Sequence, residues 1–453
     1  MSTATRPRNV TAAVLGLWLV LLCALGTGDA GAQQSGGTIR VLASWTGPEE
    51  EAFRQVLDAF TKKHHIRVEY QGTTALREVL LSDVRSGTPP DIAVLPSSGE
   101  LTAYAEKDYL AKLDEVVPGS EYNPLWTPRL TENGPIYGVA VKADLKGIVW
   151  YDSARHGPGD LPALAADSRQ WCVGMGDGAT SGWPGTDWIE DILLRQQGKR
   201  VYEQWAEGEL AWDDPRVAEA WRTWGELFSG AAAKTALRTD FRAAGKKLFA
   251  KRPSCALEHQ GSFIRGSYPG PHRARFAYSA DLLRLSGSPS AAYEVSAAHE
   301  VSGDFAAHEV SGDFAALFKN TGHTGQALEL MRYLAQVEGQ RTWAEHTPAR
   351  SAKPFSANSK VPVSVQGNDK VAQSIARTLK SSSLCLDASD AMPPRMRLAF
   401  QRAVLKFLSY PDAERQQRLG GLLGSLEKVH QSTEHSQGQG RGPDQPWPST
   451  VCH

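Results

Sequence analysis

The sequence has no basic surplus: Lys and Arg total 49 against 50 Asp and Glu, a formal net charge of -1 over 453 residues. Without excess cations to neutralise a phosphate backbone, no nucleic-acid partner is expected. Neither H-E-x-x-H nor C-x-x-C occurs, and "GATSG" around Ser181 is not G-x-S-x-G. The zinc-protease helix, the redox cysteine pair and the nucleophile elbow are therefore missing. "HEVSG" occurs twice, but Gly303 and Gly312 stand where a second histidine would be needed, so no metal is assigned and no cofactor is implied. The apolar run "AAVLGLWLVLLCAL", Ala12 to Leu25, is shorter than the ~20 residues a membrane span needs.

That run follows Arg6 and Arg8 and leads into "AGA", the layout of a secretory signal cleaved after Ala32, so residues 1–32 read as a signal peptide. An uncleaved anchor is the alternative. Leu22 stands where a lipoprotein signal has a small residue, which argues against lipid at Cys23 but leaves a lipid-anchored form open. An extracytoplasmic chain, secreted or periplasmic, permits disulfides. Of five cysteines, four remain after cleavage, Cys172, Cys255, Cys385 and Cys452, and these allow three full pairings. "WCVGM" and "SCALEH" read as short buried strands, which favours Cys172 with Cys255; two buried free thiols are the alternative.

The hydrophobic content, 41%, suffices for real cores. From Thr38 the chain alternates: "TIRVLAS" reads as a strand, then Phe53, Val56, Leu57 and Phe60 fall on one helical face, then comes the strand "IRVEY". Leu76, Val79, Leu80 and Val84 form a second stripe before the apolar run "IAVLP". This βαβαβ order implies an α/β fold with a parallel sheet, and ligands of such sheets gather beyond the carboxyl ends of the strands. Trp45, Glu49, Thr73, Arg77 and Ser97 lie there, although Glu49 and Thr73 also suit helix caps and Arg77 a solvated surface. Further on, "GIVWYD" reads as a strand, "TDWIEDILLRQQG" as an amphipathic helix with Thr186 or Asp187 as N-cap, and Trp221 and Trp224 as core.

"AHEVSGDFA" occurs at Ala298 to Ala306 and again at Ala307 to Ala315. Nine residues are far below a solenoid period, so this reads as a local tandem duplication with one copy looped out. Beyond Val429 the chain is polar and rich in Gly and Pro, and residues 430–453 read as a disordered tail.

The stretch "SGWPGTDWIEDILLR", Ser181 to Arg195, sets two indoles beside three carboxylates. A saccharide needs both: its C–H faces lie on aromatic rings, and its hydroxyls require ionised or amide groups of fixed geometry. Asp187, Glu190 and Asp191 would also suit the acid pair of an exported hydrolase or lyase, yet three acids at a helix start more often complement its dipole. A binder of another polar solute, an amino acid derivative or a polyamine, is the third option.

Several segments together resemble the extracellular solute-binding proteins of carbohydrate ABC importers, family 1, near the alpha-glucoside-binding branch. They are "SWTGPEEEAF", "SGTPPDIAVLPSSGEL", "VKADLKGIVWYD", "WCVGMGDGATSGWPGTDWIEDILLR", "CALEHQGSF", "VSGDFAALF" and "LDASDAMP". The resemblance implies a two-lobed periplasmic-binding-protein-like fold (type II), hinge-linked, with the ligand cleft between the lobes. Lobe 1 would be residues 38–143 plus 280–354 and lobe 2 residues 144–278 plus 355–429. It implies no catalysis, a carbohydrate ligand, a membrane permease as partner and a monomeric chain. Carried over by position, the contacts would be Trp45, Glu49, Arg77 and Lys142 from the first lobe and the crossover. Trp183, Thr186, Asp187, His259, Gln260 and Asp387 would come from the second. Gly312 and Asp313 are expected from the duplicated copy next to "ALFKN".

Overall fold

The computed structural model describes residues 37–228, 230–283, 307–347, 353–381, 383–438, 447–448 and 450–453. The signal peptide and Cys23, and the first copy of the duplication at 298–306, lie outside the described residues.

The expected parallel unit is present. β1 (Ile39–Ala43) lies between β2 (Val68–Gly72) and β3 (Ile92–Leu95), parallel to both, with Val41 opposite Tyr70 and Ile92. α1 (Pro48–His64) and α2 (Leu76–Arg85) make the crossovers. α1 buries Phe53, Val56, Leu57 and Phe60, its predicted stripe, and its ends suit the helix dipole: Glu49, Glu50 and Glu51 in the first turn, Lys62 and Lys63 in the last. α3 (Ser98–Glu106) follows β3, with the Ser97 hydroxyl accepting from the Glu100 amide.

β4 (Val139–Leu145) is buried along its whole length. It pairs antiparallel with β8 (His308–Leu317), which also pairs antiparallel with β3. β8 is the second copy of the duplicated nonapeptide plus the residues after it, with Asp313 opposite Lys142. β9 (Leu384–Leu386) runs parallel to the start of β8, giving the order β2-β1-β3-β8-β4 with β9 beside β8. β9 falls within residues 355–429, and its backbone extends the larger sheet.

Two residues after β4, the chain enters a second, three-stranded sheet. β5 (Ile148–Asp152) is its centre, antiparallel to β6 (Leu257–His259) and β7 (Ala274–Tyr278). The passage is Lys146-Gly147. Gly147 has φ of 60°, and a Cβ there would meet the Asp191 carboxylate at 2.8 Å, so conformation and space both demand glycine.

α4 (Trp183–Ala206), α5 (Pro215–Leu227), α6 (Thr324–Ala335), α7 (Val337–His346), the short α8 (Ala388–Ala391), α9 (Pro394–Ser409) and α10 (Asp412–Gly438) complete the elements used below. α4 begins earlier than expected: Gly182 is its N-cap, so Thr186 and Asp187 sit inside the helix rather than capping it. Pro184 accounts for this, because a proline in the first turn costs no intrahelical hydrogen bond. Trp188, Trp205, Trp212, Trp221 and Trp224 are fully buried, and Phe407 stands against Trp221 and Trp224 at 5.3 and 5.6 Å. Each such side chain contributes about 1.5–3 kcal/mol of burial or more.

Cys172 and Cys255 are bonded, the pairing favoured from sequence, and a second disulfide joins Cys385 to Cys452. The second corrects the expected disordered tail. α10 continues to Gly438, Trp447 packs on His430 and Gly208, and residues 451–453 pair with β9 through Leu386 N to Val451 O and both Leu384–His453 bonds. Composition pointed to disorder, but a covalent link and a strand edge hold this end.

Candidate functional site

β4 and the passage after it carry Lys142, Asp144 and Lys146 at alternate positions, and strand geometry puts such residues on one face. Each lysine is enclosed by carboxylates. Lys142 Nζ lies 3.0 Å from Glu49, 3.3 Å from Asp144 and 3.6 Å from Asp313. Lys146 Nζ lies 2.5 Å from Asp187 and 2.9 Å from Asp387. At about 3.3 Å per residue the two centres are roughly 13 Å apart along the chain.

Burial alone would pull both ammonium groups down, but the facing carboxylates outweigh it and hold both pKa values well above the usual lysine range. The acids share the load unequally. Burial raises Asp187 well above the ordinary carboxylate range, against the pull of Lys146. Burial opposes the ionised form of Asp387 too, yet Lys146 and the Asp390 amide hold its pKa below the ordinary value. Asp313 is raised to about 6 by burial, with Lys142 opposing. Asp390 is raised to about 7 by burial and the Asp387 charge, and is paired with Arg397 at 2.8 Å.

Aromatic rings flank both centres. The Lys146 ammonium stands 5.2 Å from the ring centroid of Trp183 and 5.9 Å from that of Phe263. Trp183 is partly buried, rests edge-on against Phe241 and donates its indole N–H to Asp177 at 2.9 Å. At the other centre the Trp45 indole hydrogen-bonds Asp313. The Trp45 ring itself is buried, edge-on to Phe53 at 4.9 Å and Trp343 at 4.7 Å. Ser262 donates to Asp144 at 2.6 Å and accepts from the Leu145 amide, tying the second sheet's edge to β4.

Eight of the expected residues thus gather along β4: Trp45, Glu49, Lys142 and Asp313 at one centre, Trp183, Asp187 and Asp387 at the other, and Gly312 on β8 opposite Ala143. A Cβ on Gly312 would meet the rings of Phe314 at 3.1 Å and Trp126 at 3.2 Å. Four residues are placed otherwise. Thr186 is fully buried, donates to the Trp183 carbonyl and meets the Ser389 hydroxyl, a helix-packing role. His259 is buried, stacked on Trp188 at 4.2 Å and bonded to Asp191 at 3.0 Å. Gln260 accepts from the Gly261 amide through its side chain, and its carbonyl accepts from Trp150. Arg77 lines a separate cavity of about 410 Å³ with Arg395, Arg402 and Thr433 among its other walls.

Sequence reading missed Lys146, Asp144 and Asp390. The first two were visible as the alternation K-A-D-L-K inside "VKADLKGIVWYD"; Asp390 carried no local signal.

Residues 45–341 match the family model described as bacterial extracellular solute-binding protein. The alpha-glucosides-binding periplasmic protein AglE of Rhizobium meliloti is 30% identical over 263 residues, 52% of this chain and 57% of that protein, so the match spans little more than half of AglE. The osmoprotective compounds-binding protein GgtB of Synechocystis sp. is 28% identical over 411 residues, 85% of this chain and 91% of that protein. Among solved structures, the bacterial solute receptor AcbH superposes with a TM-score of 0.71 at 17% identity, over 88% of this chain and 99% of that one, a likeness of fold. The two disulfides accord with an extracytoplasmic location. The chain therefore belongs to the bacterial extracellular solute-binding protein family, a family of non-catalytic receptors for small solutes.

Proposed function

We propose that the solute is a neutral sugar or oligosaccharide of the alpha-glucoside type, held between two lobes and delivered to a membrane permease. The lobes would be residues 38–143 plus 280–354 and residues 144–278 plus 355–429, turning about the Lys146-Gly147 passage. The observation carrying this reading is the pair of lysine–carboxylate centres on β4, one flanked by the accessible face of Trp183. Acids outnumber cations there: Glu49, Asp144, Asp187, Asp313, Asp387 and Asp390 face Lys142, Lys146 and Arg397. Spare carboxylate lone pairs accept from hydroxyl donors and repel anions, which suits a polyhydroxylated ligand without charge. Micromolar affinity, about -8 kcal/mol, is within reach of several such bonds and one stacked ring.

GgtB's name supports a second reading, an osmoprotective compound in place of a nutrient sugar. A thermal-shift panel of glucosides, other sugars, osmoprotectants, amino acids and polyamines tests both. Glucosides should raise the midpoint most; a response confined to osmoprotectants favours the second reading, and one confined to amino acids or polyamines defeats the sugar reading.

A further inference from the structure

Beside Asp387 of the Lys146 centre lie two further acids, Glu190 and Glu309, that solute binding does not explain. Glu190 on α4, Glu309 on β8 and Asp387 just after β9 each offer an oxygen, and these atoms lie within 4.8 Å of one another. Glu190 and Glu309 are 0% exposed and Asp387 1%. Asp387 is satisfied: Lys146, the Ser389 hydroxyl and the Asp390 amide all donate to it. Glu190 accepts one bond, from the Ser389 amide at 3.2 Å; its other oxygen meets no donor, and the Glu190 carboxyl shares a hydrogen bond with Asp387 when protonated. Glu309 has no hydrogen-bond partner on either oxygen.

A fully buried carboxyl with both oxygens unpartnered, as in Glu309, is expensive, and crowding it against two further buried acids adds to the cost. The Lys146 ammonium is already held between Asp187 and Asp387. Tyr202, another polar group near the cluster, spends its hydroxyl on the Leu386 carbonyl and the Ala388 amide. Among the described residues no group meets either oxygen of Glu309, and burial raises its pKa well above the ordinary carboxylate range.

We propose that Glu190, Glu309 and Asp387 together hold one hard divalent cation. The donor set is oxygen only, with neither imidazole nor thiolate, which selects calcium, magnesium or manganese over zinc or copper. Calcium's oxygens lie at 2.3–2.6 Å, so ligands across the ion are about 4.6–5.2 Å apart, a span that accommodates the observed limit. The three residues come from α4, β8 and the β9–α8 turn, so a bound ion would fasten that helix to the edge of the larger sheet directly behind the Lys146-Gly147 passage.

The test uses the full secreted chain without sugar, so its result is separate from the sugar reading. Protein treated with chelator and dialysed is titrated with calcium, magnesium and manganese chlorides, followed by calorimetry and by thermal midpoint. One equivalent should bind, with the midpoint rising by a few degrees at about 100-fold excess over Kd. Glu309→Gln and Glu190→Gln should melt at or above the metal-free wild type and lose the metal response. No response of the wild type to any of the three ions, or an equal response in Glu309→Gln, overturns the proposal. Should either variant fail to fold, metal analysis of the wild type decides: about one equivalent retained through buffer dialysis and removed by chelator supports the site, and none retained overturns it.

Discussion

Lys146 and Trp183 face each other, the ammonium 5.2 Å from the ring centroid, although they belong to different elements, the β4–β5 passage and the first turn of α4. The indole is held by Asp177, Phe241 and Phe263 while part of its surface stays accessible. A ring so braced is a ready platform for a sugar's C–H face. Trp183→Ala should weaken sugar affinity about 10- to 100-fold, the equivalent of ~1.4–2.8 kcal/mol, while a cooperative melt persists. Calorimetric titration with the best ligand of the panel reads this; an unchanged Kd removes Trp183 from the site.

Lys146→Met should act on stability before it acts on binding. The substitution leaves Asp187 and Asp387 buried together without a cation, and breaking a buried pair this way costs about 3–5 kcal/mol. Asp187→Asn in the same chain should return part of the loss, because it removes the charge that burial already disfavours. Urea unfolding of the single and double variants measures the difference, and equal losses in the two would refute the coupling.

Much of the larger sheet was legible because its signals are local. The stripe from Phe53 to Phe60 and the run Ile92–Leu95 each declare an element within a few residues, and βαβαβ order implies parallel strands. The site was legible in its members and not in its pairings. Lys146 meets acids 41 and 241 positions away, a juxtaposition that periodicity does not encode. His259 shows the converse: the family resemblance implies a ligand contact, but Trp188 and Asp191 arrive from α4 and absorb its face and its Nε2. The tail failed for the same reason, since its polar composition hid one long-range covalent partner for Cys452.

Stability should fall from weakly acidic to weakly alkaline pH through Glu258. Burial raises this carboxyl to about 8, with the Tyr268 hydroxyl opposing from 2.5 Å. A folded pKa above the unfolded one favours the protonated fold, so the contribution is complete below about pH 4.5 and is lost as pH rises to about 8. Within that window the slope is about 1.4 kcal/mol per pH unit. His308 has the opposite sign: burial lowers it to about 4, so its contribution is lost as pH falls from about 6.5 to 4. Urea midpoints across pH 4 to 9 test this, and Glu258→Gln should flatten the alkaline decline; an unchanged slope in that variant would exclude Glu258 as its source.

Cys452→Ser separates a structural chain end from a dispensable one. The Cys385–Cys452 bond spans 67 residues, and releasing a loop of that size costs about 4 kcal/mol on chain-entropy grounds, or about 2–4 kcal/mol as such losses are usually measured. Its removal also frees the strand pairing of residues 451–453 with β9, next to Asp387 and its contact with Lys146. The variant should therefore lose stability and, through a loosened β9, also bind sugar more weakly. Limited proteolysis with a C-terminal epitope reads the release of the chain end directly. If the epitope stays protected and both stability and affinity are unchanged, noncovalent packing of Val451 and Trp447 alone holds the segment, and the disulfide has no part in positioning Asp387.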